Sequence, residues 1–418
     1  MKLTVRKRAG RGVLFVHSNF PAQFGFVAQL LQREGVKCTS ICSPSGTTLF
    51  GVPALKWRAP RGTSKSTYTP ATKAEADMLR GAAAAERAME LKKKGFDPLL
   101  IVGHPGWGET LFLKEVFPNA RQISYGEFYY HSHGADSGFD PEFGDDDFGE
   151  KLKIAGKNAT LSLAYADADR IISPTPFQAS LIPETFRSKM TIIHEGVDVD
   201  RVYKRRGSKL KVSDDLVLDE TTPVITFINR CFEPLRGYHR FMRALPRVLA
   251  EVPDAHVLLI GEAGERGYGM SPPNGRTWKD IYLEEVADRL DLSRVHFTGW
   301  LARDRMLAAL SLSRAHVYFT YPFVMSWSLL EAMASECLVI GSDTAPVRDA
   351  VTDGENGILV DFFDQDRLAE TLVEACRNPA RFSGLRSAAR ETIVTRYNRK
   401  TISEPAWRDV IADTVAWT

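Results

Sequence analysis

Short apolar runs, each followed by an amphipathic stretch of helical length, repeat along this chain in two series, and the repeat breaks once, near residues 196–222. A strand that reads as a continuous apolar run is covered on both faces, and strands joined by helices pair in parallel, so this pattern demands doubly wound α/β units. The first series begins at Gly12–Val16 and continues at Val36–Ile41, Leu99–Val102, Gln122–Tyr125 and Arg170–Ser173, with an alanine-rich helix expected over 74–94. The second runs through Val224–Ile228, His256–Ile260, Val295–Phe297, Ala315–Thr320, Leu338–Gly341 and Gly357–Val360, with helices expected at 237–251, 278–290, 303–312 and 327–335. Between them lies the charged segment Tyr203-Lys-Arg-Arg-Gly-Ser-Lys-Leu-Lys211. A chain of 418 residues exceeds what one core supports. The expected domains are therefore 1–200 and 201–398, with a terminal helical segment 399–418.

Charge and cysteine content exclude several classes. The 54 basic and 52 acidic residues leave a formal net charge of +2, too small a field to argue for nucleic acid. Lys2, Arg6, Lys7, Arg8 and Arg11 make the amino terminus locally basic, which suits either a solvated end or a membrane-adjacent substrate. Val13–Val16 is far too short for a secretory core or a membrane span, so the expectation is a cytoplasmic protein, with the inner membrane face as its other setting. Cys38, Cys42, Cys231, Cys337 and Cys376 are scattered and odd in number, unlike a disulfide framework or a zinc site. No residue spacing predicts a metal site.

The most specific segment is Tyr321-Pro-Phe-Val-Met-Ser-Trp-Ser-Leu-Leu-Glu-Ala-Met-Ala-Ser-Glu-Cys-Leu-Val-Ile340. It reads as a loop feeding a short helix, whose first amides and positive dipole end suit a diphosphate. One turn in, Glu331 can accept hydrogen bonds from ribose hydroxyls, or simply face solvent. This stretch resembles the donor-site signature of family-4-like retaining glycosyltransferases of the GT-B fold, bacterial type. That resemblance implies two Rossmann-like domains facing each other across a cleft. Glu331 matches the second of the family's two glutamates, Phe323 stands where the first belongs, and Ser326 replaces the usual glycine of the phosphate loop. Phosphate binding is then assigned to the backbone amides of Trp327, Ser328 and Leu329.

In Asn229-Arg-Cys-Phe-Glu-Pro-Leu-Arg-Gly237, Arg230 and Arg236 fall where the family carries an arginine and a lysine. A departing diphosphate needs cations, and the Lys-to-Arg change keeps the charge while adding a planar fork. Phe297-Thr-Gly-Trp-Leu301 resembles the base-binding turn, with main-chain groups of Trp300 or Leu301 reading the base. Gly261 begins a turn resembling one near the nucleotide, though a plain strand-to-helix turn accounts for it better.

His104-Pro-Gly-Trp-Gly-Glu109 and Tyr125-Gly-Glu-Phe-Tyr-Tyr-His-Ser-His133 each follow an expected strand, where open α/β sheets bind ligands. They resemble runs in one subgroup of the family, and Glu127 lies near where other members place a histidine beside the transferred sugar. His104, His131 and His133 are acceptor-side candidates, each balanced by an ordinary structural role. The acidic, glycine-containing stretch from Gly134 to Gly149 suggests a loop or lid, or a solvated loop.

The resemblance implies retaining, metal-independent transfer from a UDP- or GDP-sugar, with no permanently bound cofactor. Arg230, Arg236 and Glu127 would serve the chemistry, on a glycan, lipid-linked or small-molecule acceptor in polysaccharide biosynthesis. Two alternatives stay open: an epimerase or phosphorylase using the same cleft, and an inactive nucleotide-sugar-binding protein, which Phe323 would favour.

Overall fold

The computed structural model describes residues 11–144, 147–264 and 267–416. The basic residues Lys2, Arg6, Lys7 and Arg8 and the acidic Asp145 and Asp146 lie outside the described residues. The chain forms two compact units: one runs to Glu195 and resumes at Lys400, and the other is Gly196–Arg399. The observed division lies five residues before the expected 200/201 boundary, at Glu195/Gly196. A backbone clasp explains the position, since the Val197 amide donates to Tyr397 O (2.7 Å) and the Arg399 amide to Val197 O (3.0 Å). The second unit thus closes its own ends.

The first unit holds a parallel sheet of seven strands among the described residues: β1 (Val13–Val16), β2 (Cys38–Cys42), β3 (Ala54–Lys56), β4 (Leu100–Gly103), β5 (Arg121–Tyr125), β6 (Arg170–Ser173) and β7 (Met190–Ile192). Their order is β3-β2-β1-β4-β5-β6-β7. Both faces of β1 are covered. Phe15 joins Phe20, Phe24 and Trp407 on one side, while Leu14 and Val16 join Ala83, Ala84 and Ala88 on the other. Small alanines there let the helix Thr72–Lys93 lie close to the sheet. The terminal helix Glu404–Ala416 contributes Trp407, Val410 and Ile411 to the same core as Phe26, and its pairs Arg33–Glu404 (2.9 Å) and Arg408–Glu34 (2.7 Å) flank the contact.

The acidic stretch ends differently from a lid. Asp147 accepts from the Gly149 amide at 3.0 Å and caps the helix Phe148–Asp167, so the last part of that stretch is a helix start.

The second unit opens with a small antiparallel pair, β8 (Leu210–Lys211) and β9 (Val217–Leu218). Its main sheet comprises β10 (Val224–Cys231), β11 (His256–Glu262), β12 (Val295–Gly299), β13 (Ser313–Tyr318), β14 (Val339–Ser342) and β15 (Ile358–Val360). They pair in parallel in the order β12-β11-β10-β13-β14-β15. All five cysteines are buried and free. Among the described residues no helix is long and apolar enough to cross a membrane.

Candidate functional site

In each sheet the chain reverses its direction of winding once, between β1 and β4 in the first unit and between β10 and β13 in the second. The loops leaving neighbouring strands then diverge and open a crevice at their carboxyl ends. The polar residues singled out from sequence fall largely at these two places.

In the first unit, His17 follows β1, His104 follows β4 and Glu127 follows β5. The His17 Nδ1 accepts the Asn19 amide (2.9 Å), so its Nε2–H donates to Gln23 Oε1 (2.8 Å). The Gln23 amide nitrogen donates onward to Glu127 Oε1 (2.9 Å). His104 repeats the arrangement: its Nδ1 accepts the Gly106 amide (3.1 Å), leaving Nε2–H to donate to Glu127 Oε2 (3.3 Å). Burial pushes the His17 imidazole down to about 3, with His104 beside it adding to the effect, so His17 is neutral. Burial alone would raise the Glu127 carboxyl, but its contacts with His104 and Gln23 outweigh that and hold it below its ordinary value. An ionised carboxylate offers four lone-pair positions, of which two are taken here, and a third of this side chain is open. The Glu127 backbone is anchored as well, its carbonyl accepting from Gln178 Nε2 at 2.5 Å.

Beside this group, Ser18 donates to one oxygen of the buried Glu109, whose other oxygen has no partner among the described residues. Burial pushes the Glu109 carboxyl up. His131 stands apart: its Nε2 bonds to Leu181 O (2.7 Å), a structural contact that holds the loop after β5 to the helix Pro176–Leu181. His133 is exposed. The structure therefore joins His104 with Glu127 and gives His131 a separate task.

In the second unit, Arg236 is only 5% exposed and its guanidinium donates to Thr320 Oγ1 (3.0 Å), Val324 O (2.9 Å) and Tyr318 Oη (3.4 Å). Two neutral aromatic faces flank it: the Phe323 ring lies 5.3 Å from the guanidinium carbon and the Tyr268 ring 5.9 Å. Arg230 is exposed and approaches the same Tyr268 ring at 5.6 Å. One ring thus gathers both arginines. Tyr268 is itself placed by Glu233, a buried carboxylate that accepts the amides of Tyr268 (3.1 Å) and Gly269 (2.9 Å). Gly237, at φ +69°, permits the turn that follows Arg236, because a Cβ there would strike Phe319. Gly261 is required by packing, since a Cβ would fall on the Asn229 carbonyl.

The helix Trp327–Ala334 starts beside this cation. Ser326 caps it, its Oγ accepting the Ser328 amide (3.3 Å) and its carbonyl the Leu329 amide (3.2 Å). Of the three amides expected to meet phosphate, two already serve the helix turn. The Ser326 amide donates to Tyr318 Oη (2.6 Å), so one phenol oxygen links this turn to Arg236. Trp327 is half exposed, as is Trp300, and Leu301 is partly buried. Glu331 neither faces bulk solvent nor stands alone: Arg303 binds it through two nitrogens, at 2.6 and 2.8 Å.

Sequence reasoning missed His17, Gln23, Glu233, Tyr268 and Arg303. His17 carried a faint signal, its place directly after the first strand. Arg303 and Glu331 are 28 positions apart, with no local pattern to couple them.

Two doubly wound parallel sheets, each with polar groups at its switch point, define the GT-B fold. Sucrose-phosphate synthase from Thermosynechococcus elongatus superposes with a TM-score of 0.72 at 18% identity, covering 98% of this chain and 100% of that one. Anabaena HepE, solved with UDP and glucose, superposes with a TM-score of 0.63 at 14% identity over 98% of this chain and 100% of its own. Residues 34–202 match the model for the glycosyl transferase family 4 group, and residues 222–378 that for glycosyl transferases group 1. The chain belongs to the family-4-like glycosyltransferases. The D-inositol 3-phosphate glycosyltransferase of Rhodococcus jostii is 25% identical over 245 residues, 58% of this chain and 52% of that protein. The chain thus spans about half the length of that curated relative.

Proposed function

We propose that this chain transfers a glycosyl group from a nucleoside diphosphate sugar to an acceptor hydroxyl, with retention of configuration. The reading rests chiefly on Arg236, a buried guanidinium with hydroxyl, carbonyl and aromatic neighbours and no carboxylate partner among the described residues. A buried cation without a counter-ion is costly, and a diphosphate is the anion this family's donors carry. UDP in the HepE structure is consistent with that choice, and a guanosine nucleotide is the other candidate.

Arg236 and Arg230 neutralise the charge that grows on the diphosphate as the C1–O bond breaks, aided by the Trp327 amide. Ser326 must yield the Ser328 amide for that group to join. Glu331, held by Arg303, keeps its remaining lone pairs for ribose hydroxyls. The acceptor oxygen bonds to C1 on the face the diphosphate leaves, and the departing phosphate oxygen takes the acceptor proton. Glu127, ionised and one-third open, is suited to accept a sugar hydroxyl and to stabilise positive charge at C1; His104 and Gln23 hold it in place. Glycans and lipid-linked saccharides are the acceptor classes in view.

Incubation with UDP- and GDP-sugars and candidate acceptors tests the reading. Nucleoside diphosphate release with a retained anomer in the product, unaffected by EDTA, is expected; an inverted product or recovery only with added metal contradicts it. Phe323 and the occupied Ser328 and Leu329 amides favour a second reading, nucleotide binding without transfer. Binding of nucleotide with no product from any donor would select it.

A further inference from the structure

The first unit contains a cavity of about 590 Å³ that neither the carboxylate cluster nor the donor-side residues occupy. Its walls come from the loop 59–70, the start of the helix Thr72–Lys93 and the helix Phe148–Asp167. Arg61, Lys73, Arg80, Lys153 and Lys157 line it, and among the described residues no Asp or Glu does. Carboxylates nearby offset only part of this charge. Lys73 and Arg80 share the buried Asp77, with Glu109 also acting on Lys73; Arg61 pairs with Glu75 (2.6 Å), Lys153 with Glu150 and more weakly Asp147, and Asp136 acts on Lys157. Lys157 lies over the Tyr130 ring at 4.8 Å. Burial pushes the Lys73 ammonium down, which an anion in the cavity would reverse.

The start of the helical run also faces the cavity: a 3-10 turn over Thr69–Ala71 leads straight into the helix at Thr72, and Thr69, Pro70, Thr72 and Lys73 line the wall. The cavity is also wired to the carboxylate cluster. Lys73 Nζ donates to Gly106 O (2.9 Å), and the Gly106 amide donates to His104 Nδ1, the ring that holds Glu127. Tyr130, beneath Lys157, lies three residues beyond Glu127 on the same loop.

We propose that this cavity binds a phosphate ester group, and that the group belongs to the acceptor, whose hydroxyl is thereby presented toward Glu127. The second clause rests on the glycosyl-transfer reading; the first does not. Five cations around one cavity match a doubly charged phosphate better than a neutral sugar. A soluble sugar phosphate and a phospholipid headgroup carry the same chemistry.

The test is calorimetric titration of the full chain with inorganic phosphate and glycerol 1-phosphate, together with sedimentation on phosphatidic acid vesicles. Three proteins are compared: wild type, Lys153→Ala/Lys157→Ala and Arg230→Ala, with UDP titrated into each. Both lysines sit half-buried on a helix surface, and Arg61→Ala on the opposite wall gives an independent variant. Phosphate ester binding that weakens by about tenfold or more in the lysine and Arg61 variants, with UDP binding unchanged, supports the site. Binding of glycerol 1-phosphate without vesicle sedimentation identifies a soluble ester, and lysine-dependent sedimentation identifies a lipid headgroup. Phosphate binding that survives in the lysine variant, or that is lost only in Arg230→Ala, overturns the proposal. If UDP fails to bind anywhere while phosphate binds the cavity, the donor reading falls and the cavity stands.

Discussion

At the carboxyl ends of β1, β4 and β5, one imidazole directly and another through an amide converge on a single carboxylate; at those of β10 and β13, hydroxyls, a carbonyl and aromatic faces converge on a single guanidinium. The two places are topologically alike, each the switch point of a doubly wound sheet. Their charge is opposite. Topology therefore selects where a ligand binds, and the side chains that follow each strand select what binds there. A fixed carboxylate suits sugar hydroxyls and a cationic carbon, whereas a guanidinium with no carboxylate partner among the described residues suits a leaving diphosphate. The support differs too: Glu127 is aimed by residues from β1 and β4, while Arg236 is aimed from the loop after β13.

Replacing Arg236 breaks this contrast most directly. Arg236→Ala removes charge-assisted bonds to phosphate and leaves Thr320 and the Val324 carbonyl without their donor. At about 1.5–3 kcal/mol per charged hydrogen bond, kcat/KM should fall by about 100-fold or more, with a lower melting temperature. Arg236→Lys keeps charge without the fork and should lie between. Glu127→Gln should lower kcat by about 100-fold while leaving nucleotide affinity unchanged, which would separate the two sites kinetically.

How much of this contrast was legible in the sequence depends on how far apart the partners lie. The strands β1, β4, β10 and β11 read directly as apolar runs, because both faces are buried. The edge strands β3 and β7 did not, being three residues long and only partly covered. The helix Phe148–Asp167 was hidden behind its acidic start, since Asp147 works as a cap. Arg236 and Ser326 stood out through local motifs. The His17–Gln23–Glu127 chain could not, because it joins positions 104 apart through strands whose adjacency only the sheet order reveals.

Acid sharpens the comparison from another side, because each unit carries a buried neutral histidine: His17 in the first and His316 in the second, both pushed down to about 3 by burial. The folded pKa is depressed below the unfolded value of about 6.5, so the unfolded chain takes up the proton first and stability falls as pH drops from about 6.5 toward 3. Each should cost about 2 kcal/mol between pH 7.5 and 5. His316→Asn should flatten the melting-temperature profile over that range, and an unchanged slope would remove the assignment.

The smallest expected effect is at Ser326. Ser326→Gly frees the Ser328 amide for phosphate at a stability cost of a few tenths of a kcal/mol, and donor affinity should rise by about two- to fivefold. Weaker binding would mean that the cap itself holds the phosphate loop.

Calorimetric titration of UDP and GDP into wild type, Arg236→Lys and Glu127→Gln tests the division of labour most directly. One nucleotide is expected to bind wild type and Glu127→Gln alike and to bind Arg236→Lys about tenfold more weakly. Binding unaffected at Arg236, or lost at Glu127, would contradict it.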